Sequence, residues 1–382
     1  LNQDGDNHGI FGQRYDAAGG GVGAEFQINT YTTSVQANPS VTGLPGGGFV
    51  VTWASLSQDG DLYGIYGQRY DAAGAATGTE FQINTFTTSN QNEPSVSSLP
   101  GGGFVVTWES GGQDGASRGI YGQRYDAAGA ATGTEFQINT ETTDDQWSPA
   151  VADLPGGGFV VTWMSNAQDG SGHGVFGQRY DASGVAIGAE FQINTETVSD
   201  QWFHSVTGLS DGGFVVTWMS TGQDGDDYGI YGQRFDAAGV AAGAEFQINT
   251  ETANSQESPS VSALPGGGFV VTWTSDGQDG NARGIYGQRF DEIDNSVSTG
   301  FLTIDGYVLE GKVLTAQTGA IADADGLGAF THSWLRDGVV IPGADQASYT
   351  VTAADVGAQI TARVAYTDGL GINETLTSVP AA

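Results

Sequence analysis

The residues able to do chemistry are few, and most of them recur. Four histidines, His8, His173, His204 and His332, show no metal-ligand spacing, and there is no cysteine to serve as nucleophile, ligand or disulfide partner. No Gly-x-Ser-x-Gly elbow and no phosphate-binding glycine loop occurs. Carboxylates are abundant instead. Gln-Asp-Gly recurs so that Asp59, Asp114, Asp169, Asp224 and Asp279 fall at one repeated place. Two readings fit these loops. The carboxylates, with loop carbonyls, could bind calcium through about six to eight oxygens. Alternatively, Asp accepts backbone N–H bonds and builds the turn while Gly takes positive φ. Catalysis needs one unique constellation, whereas these polar groups repeat by position, so the chain is expected not to be an enzyme.

Variation within the constant frame marks candidate ligand residues. The position before the Gly of Gly-Ile-Tyr reads His8, Tyr63, Arg118, His173, Tyr228 and Arg283. Such side chains could hold a glycan or another subunit by stacking or cation–π contact. Duplication of a three-unit block would give the same order. Trp147 and Trp202 are extra aromatics found in two copies only, either a sugar platform or packing for an adjacent loop. Near the end of the chain Asp323, Asp325 and Asp368 lie in loops of similar text, which could share calcium or be solvated turns. Calcium is the one cofactor these residues suggest.

The elements that position these residues come from a 55-residue period. Phe-Val-Val-Thr-Trp ends at Trp53, Trp108, Trp163, Trp218 and Trp273. Gly-Gln-Arg ends at Arg14, Arg69, Arg124, Arg179, Arg234 and Arg289. Within one period four β-branched or aromatic runs are bounded by Gly, Pro and Asp, which reads as an antiparallel meander. In one unit strand a covers Pro94 to Leu99, b Phe104 to Trp108, c Ile120 to Tyr125 and d Phe136 to Thr140. Strand b is apolar on both faces, so both are covered. The expectation is an all-β chain: a β-propeller-like array of four-stranded antiparallel repeats with five to six blades, followed by an immunoglobulin-like β-sandwich. A β-helix is the rival, although its coils are usually shorter. The N-terminal c and d strands could close a ring of five, or the array is larger. The repeated arginines suggest ties to a carboxylate of the Asp71 type, and the repeated tryptophans suggest core. The d–a and b–c loops open on one face, which is the expected ligand face. Boundaries fall at 1–291 for the repeats, 292–300 for a linker and 301–382 for the sandwich.

Composition narrows the partners. Lys and Arg number 11 against 44 Asp and Glu, a formal net charge of −33. That excludes a basic face for nucleic acid and disfavours an anionic membrane surface. No run of about 18 apolar residues occurs, so direct insertion in a bilayer through a helix is not expected. A cysteine-free, acidic chain with Lys312 as its only lysine suits an extracellular setting, with an acidic cytoplasmic protein as the alternative.

The units Gly-Phe-Val-Val-Thr-Trp, Gln-Asp-Gly, Gly-Ile-Tyr-Gly-Gln-Arg-Tyr-Asp and Phe-Gln-Ile-Asn-Thr resemble tandem repeats of very large secreted bacterial proteins of the RTX adhesin type. The segment from Ala322 through Gly338 resembles the bacterial immunoglobulin-like repeats of such proteins, although the Gly-Gly-x-Gly-x-Asp arrays of RTX calcium rolls are missing. The resemblance implies type I secretion, a cell-surface or extracellular place and a frequent need for calcium. The function it implies is a non-catalytic structural or adhesive segment of a surface protein or fibre, with copies of itself, further domains of a longer chain or surface glycans as partners. A carbohydrate-binding module using the variable loops is the alternative.

Overall fold

The computed structural model describes residues 5, 7–265, 267–290, 298–323, 326–367 and 373–381. The chain divides into two compact units, residues 1–292 and 293–382. Both are all-β, and the first is built of four-stranded antiparallel sheets in tandem, consistent with a β-propeller.

Four sheets in the first unit are complete. The second of them has strands Gln91–Ser98, Phe104–Gly111, Arg118–Tyr125 and Ala131–Gln137, hydrogen-bonded in chain order. The first begins at Gln36–Gly43, the third at Gln146–Asp153 and the fourth at Gln201–Gly208. A fifth sheet has three strands, Gln256–Ala263, Phe269–Asp276 and Arg283–Phe290. The N-terminal strands Phe11–Tyr15 and Gly21–Gln27 pair only with each other among the described residues and pack on the first complete sheet. They do not complete the fifth sheet, whose a and b strands already have their own c strand.

The alternation of strand b sets the packing. Phe104, Val106 and Trp108 face Val50, Ala54 and Ile65 of the first sheet, whereas Val105 and Ile120 join Phe159, Val161 and Trp163 of the third. Each sheet therefore shares a core with both neighbours. Trp53, Trp108, Trp163 and Trp218 have no exposed surface. Within each sheet the first residue of strand b stacks on the last of strand c, as Phe104 does on Tyr125 with ring centroids 4.7 Å apart. Gly103 permits this pair, since a Cβ there would run into the Tyr125 carbonyl oxygen.

Strand limits differ from the sequence reading in one useful way. Strand d runs from Ala131 to Gln137 rather than from Phe136 to Thr140. Ile138 and Asn139 turn inward beyond it, and Asn139 Oδ1 accepts the Ile120 N–H at 2.7 Å. The Asn139 amide also donates to Gln146 Oε1 at 2.9 Å. A buried Asn–Gln pair thus closes the same end of each complete sheet.

In the second unit, strands Thr303–Asp305, Val313–Gln317 and Ser348–Thr350 form one sheet. Thr331–Arg336, Val339–Val340, Ile360–Thr367 and Asn373–Thr377 form another. Leu314 of the first and Trp334, Ile360 and Val364 of the second share one core. Buried Asp355 is held by Arg336, by Tyr349 at 2.7 Å and by Thr352. These bonds keep its carboxyl low, at about 2, against the opposing effect of burial. Most of the expected linker lies outside the described residues, but Thr299 already pairs with Ala322 in this unit.

Candidate active site

In an antiparallel meander the start of strand a, the end of b and the start of c lie at one end of the sheet. That end carries the varied candidate positions of the first unit. Tyr63, Arg118, His173, Tyr228 and Arg283 each open a c strand. Trp147 and Trp202 are the second residues of their a strands. His8 sits in the equivalent place before the first c strand, exposed and bridged to Val35.

Each a strand is interrupted just beyond this point. Asn38, Glu93, Ser148, Phe203 and Ser258 have φ between 48° and 54°, and the register shifts around them. The bulge breaks the alternation and turns these residues toward a shared space. All five, with Pro39, Pro94, Pro149, His204 and Pro259, line a cavity of about 470 Å³. The prolines and serines of the wall recur, but Asn38, Glu93, Phe203 and His204 each stand in one copy only.

Glu93 lies beside a second carboxylate. Asn92 is the cross-strand partner of Glu109, which stands in strand b where the other sheets carry Ala54, Met164, Met219 and Thr274. Glu109 is only 7% exposed. It lines a polar cleft of about 240 Å³ with Asn90, Asn92, Ser117 and Arg118. Burial, reinforced by the charge of Glu93, pushes its carboxyl up to about 7, against the lowering effects of Arg118 and the Ser148 N–H. Ser148 links the pair, because its hydroxyl also donates to Glu93 Oε2 at 2.5 Å. Arg118 Nη1 is 3.6 Å from Glu109 Oε1, and its Nε is 3.8 Å from Asp145. The arrangement can keep the Glu109 carboxyl protonated near neutral pH while Glu93 beside it accepts the serine hydroxyl.

The sequence reading missed Glu93 and Glu109. The available signal was the comparison of copies, where each position carries an acidic residue in one copy and neutral residues in the others. Tyr63 and Tyr228 pack against the cores between sheets, and the remaining varied candidates apart from exposed His8 fall in three groups. Arg118 belongs to the carboxylate site. Trp147, His173 and Trp202 come together in one aromatic cluster beside it, with His173 4.9 Å from Trp147 and 4.1 Å from Trp202 between ring centroids. Arg283 instead pairs with Glu257 at 3.0 Å.

Asp59, Asp114, Asp169, Asp224 and Asp279 each accept the N–H two residues ahead, at 3.0 to 3.4 Å, which is turn-building geometry. In the second unit Asp323 Oδ2 is 2.5 Å from the Tyr366 hydroxyl, and Asp325 and Asp368 lie outside the described residues. No group of three or more His, Asp or Glu able to hold a metal ion occurs among the described residues. No helix there is long and apolar enough to cross a membrane.

Four of the repeated arginines bond backbone carbonyls rather than the expected carboxylates. Arg14, Arg69, Arg124 and Arg179 donate to two backbone carbonyls in the c–d turn of the following sheet, Arg124 to those of Ala182 and Ser183. The turn carboxylate is already used: Asp126 accepts the Ala130 N–H at 2.8 Å. Arg234, in the last complete sheet, turns to Asp211 at 3.1 Å.

No family model and no curated protein matches this chain. Among solved structures it is similar to an endo-arabinase from Bacteroides thetaiotaomicron, at 13% identity and a TM-score of 0.43, covering 68% of this chain and 96% of that one. A Penicillium chrysogenum α-L-arabinanase complexed with arabinobiose is 15% identical with a TM-score of 0.46, covering 92% and 94%. A Fusarium graminearum α-L-arabinofuranosidase is 13% identical with a TM-score of 0.48, covering 70% and 81%. The likeness is one of chain path and carries no site residue across.

These findings correct the reading of the chain as an RTX-type adhesin repeat. The similar structures include an endo-arabinase, an α-L-arabinanase and a family-43 glycoside hydrolase rather than adhesin repeats. With the resemblance go its implications: type I secretion, a structural role, and copies of itself or further domains as partners. The expectation of a non-enzyme, and of a bare carbohydrate-binding module, is corrected with it. Its premise was that the polar residues only repeat, and Glu93 and Glu109 break that premise.

Proposed function

We propose that the first unit hydrolyses glycosidic linkages in a neutral carbohydrate, at the end of the sheets where Glu93 and Glu109 meet. The observation that carries this reading is the pair itself: two carboxyls sharing Ser148, one of them held protonated up to about pH 7. Glycoside cleavage asks for such a pair, a proton donor to the leaving oxygen and a carboxylate that assists attack at the anomeric carbon. Glu109 gives its proton to the leaving oxygen. Glu93 faces the positive charge developing on the sugar; water then bonds to the anomeric carbon as the bond to the leaving oxygen breaks, and its proton restores the Glu109 carboxyl. Arg118 moderates the pKa of Glu109, since an adjacent cation favours the ionised form. The formal charge of −33 favours a neutral substrate over a uronate. The acidic, cysteine-free composition suits work outside the cell, where such polymers occur. We read the frame as a five-repeat β-propeller and the second unit as an immunoglobulin-like module, supported by two sheets on one core around buried Trp334.

Release of reducing ends from a panel of neutral oligosaccharides tests the reading. Glu109→Gln should lower turnover by about 10²- to 10⁴-fold, the usual contribution of a general acid. Full turnover in that variant, or none in the parent chain across the panel, would remove the proposal.

A further inference from the structure

The aromatic cluster beside the carboxylates is built rather than incidental. In the first unit Trp53, Trp108, Trp163, Trp218 and Trp273 are buried, whereas Trp147 and Trp202 are partly exposed. His173 lies between them and is fixed in place, because Asp200 Oδ1 contacts its Nδ1 at 2.6 Å and accepts its backbone N–H at 3.0 Å. Phe203 extends the row, 6.5 Å from Trp202 between centroids and 55% exposed. The row joins the carboxylate site through the chain itself, since Trp147 immediately precedes Ser148.

Block duplication does not account for the cluster. The position three repeats before His173 is His8, but Val35 and Ala37 stand there in place of Asp200 and Trp202. Trp202 packs in part against the core around Met219, but the frame does not depend on an indole there, since the other sheets hold Ala37, Asn92 and Glu257 where the tryptophans stand. An oriented imidazole between two partly exposed indoles offers aromatic surface with few charges. Such faces suit the C–H surface of a sugar ring.

We infer that Trp147, His173 and Trp202 form a subsite for a further sugar ring of the substrate, which is therefore an oligo- or polysaccharide chain and not an isolated monosaccharide glycoside. This rests on the reading of Glu93 and Glu109 as the hydrolytic pair. The cleaved bond lies at the carboxylates, and the chain continues over the aromatic row.

The test is affinity electrophoresis of the full chain through gels containing debranched arabinan, xylan, galactan or mixed-linkage glucan. Trp147→Asn and Trp202→Ala each install a residue that another repeat carries at that place, so the frame is kept. The parent chain should be retarded by at least one polymer. Each variant should weaken that retention by about tenfold, the usual cost of losing an aromatic anchor, while Glu109→Gln keeps it. Unretarded parent chain, or equal retention in both tryptophan variants, overturns the subsite. Loss of turnover in Glu109→Gln with unchanged retention in the tryptophan variants leaves the hydrolytic reading standing without the subsite. Retention lost in the tryptophan variants without turnover by any form of the protein sinks the hydrolytic reading alone.

Discussion

The two ends of each repeat sheet are made in opposite ways. At the far end, side chains do work for the backbone. Asp126 closes the c–d turn through the Ala130 N–H, and Arg69 reaches across to the carbonyls of Ala127 and Ala128 in that turn. Gly102 takes φ 96° in the a–b hairpin. Each of these residues is fixed by a bond or a steric limit, and the same types stand there in copy after copy. At the near end the backbone is already satisfied by the buried Asn–Gln pair, as with Asn139 and Gln146. The flanking positions are thereby free to differ, and there one sheet carries Glu109 and the next Trp147. A repeat can host a single site where its frame is closed by residues that the site does not use.

The largest effect expected from breaking this contrast falls on His204, the one near-end residue that replaces a wall proline. Burial lowers its pKa to about 4. Its folded-state pKa lies below the ordinary value, so between about pH 6.5 and 4 the unfolded chain binds the extra proton and stability falls as pH falls. At 1.36 kcal/mol per unit the loss reaches about 3 kcal/mol by pH 4. His204→Pro restores the residue found at Pro39, Pro94, Pro149 and Pro259, and should remove that loss while matching the parent at pH 8. Denaturant melts at both pH values decide it, and parallel losses in the two chains would count against it.

A smaller effect is expected at the far end. Arg124→Ala deletes bonds to two carbonyls that are open to solvent, and should cost about 1 kcal/mol in denaturant unfolding. Because the acceptors are carbonyls, the cost should be nearly the same at low and high salt. A carboxylate partner would instead give a penalty that shrinks with ionic strength.

The period, the four strands per unit and the two apolar faces of strand b were legible in sequence, because each rests on spacing and alternation repeated several times. Strand d was placed too late, since Ile138 and Asn139 read as extended although their side chains close the sheet end. The contacts of Arg14, Arg69, Arg124 and Arg179 were misassigned for a similar reason: neighbouring Asp residues supply an obvious partner in sequence, but turn geometry had already engaged them, as at Asp126. Glu93 and Glu109 went unseen because near-identical copies draw attention to what is shared. Their juxtaposition also depends on the bulge at Glu93, which no local pattern signals.

The central claim is that Glu109 is a protonated carboxyl near neutral pH. Carbon-13 NMR of glutamate-labelled protein, with the Glu109 resonance assigned by its loss in Glu109→Gln, measures this directly. The account expects a titration midpoint near 7, moving upward in Arg118→Gln, where the lowering cation is gone. A midpoint in the ordinary glutamate range, unmoved by that substitution, would contradict it.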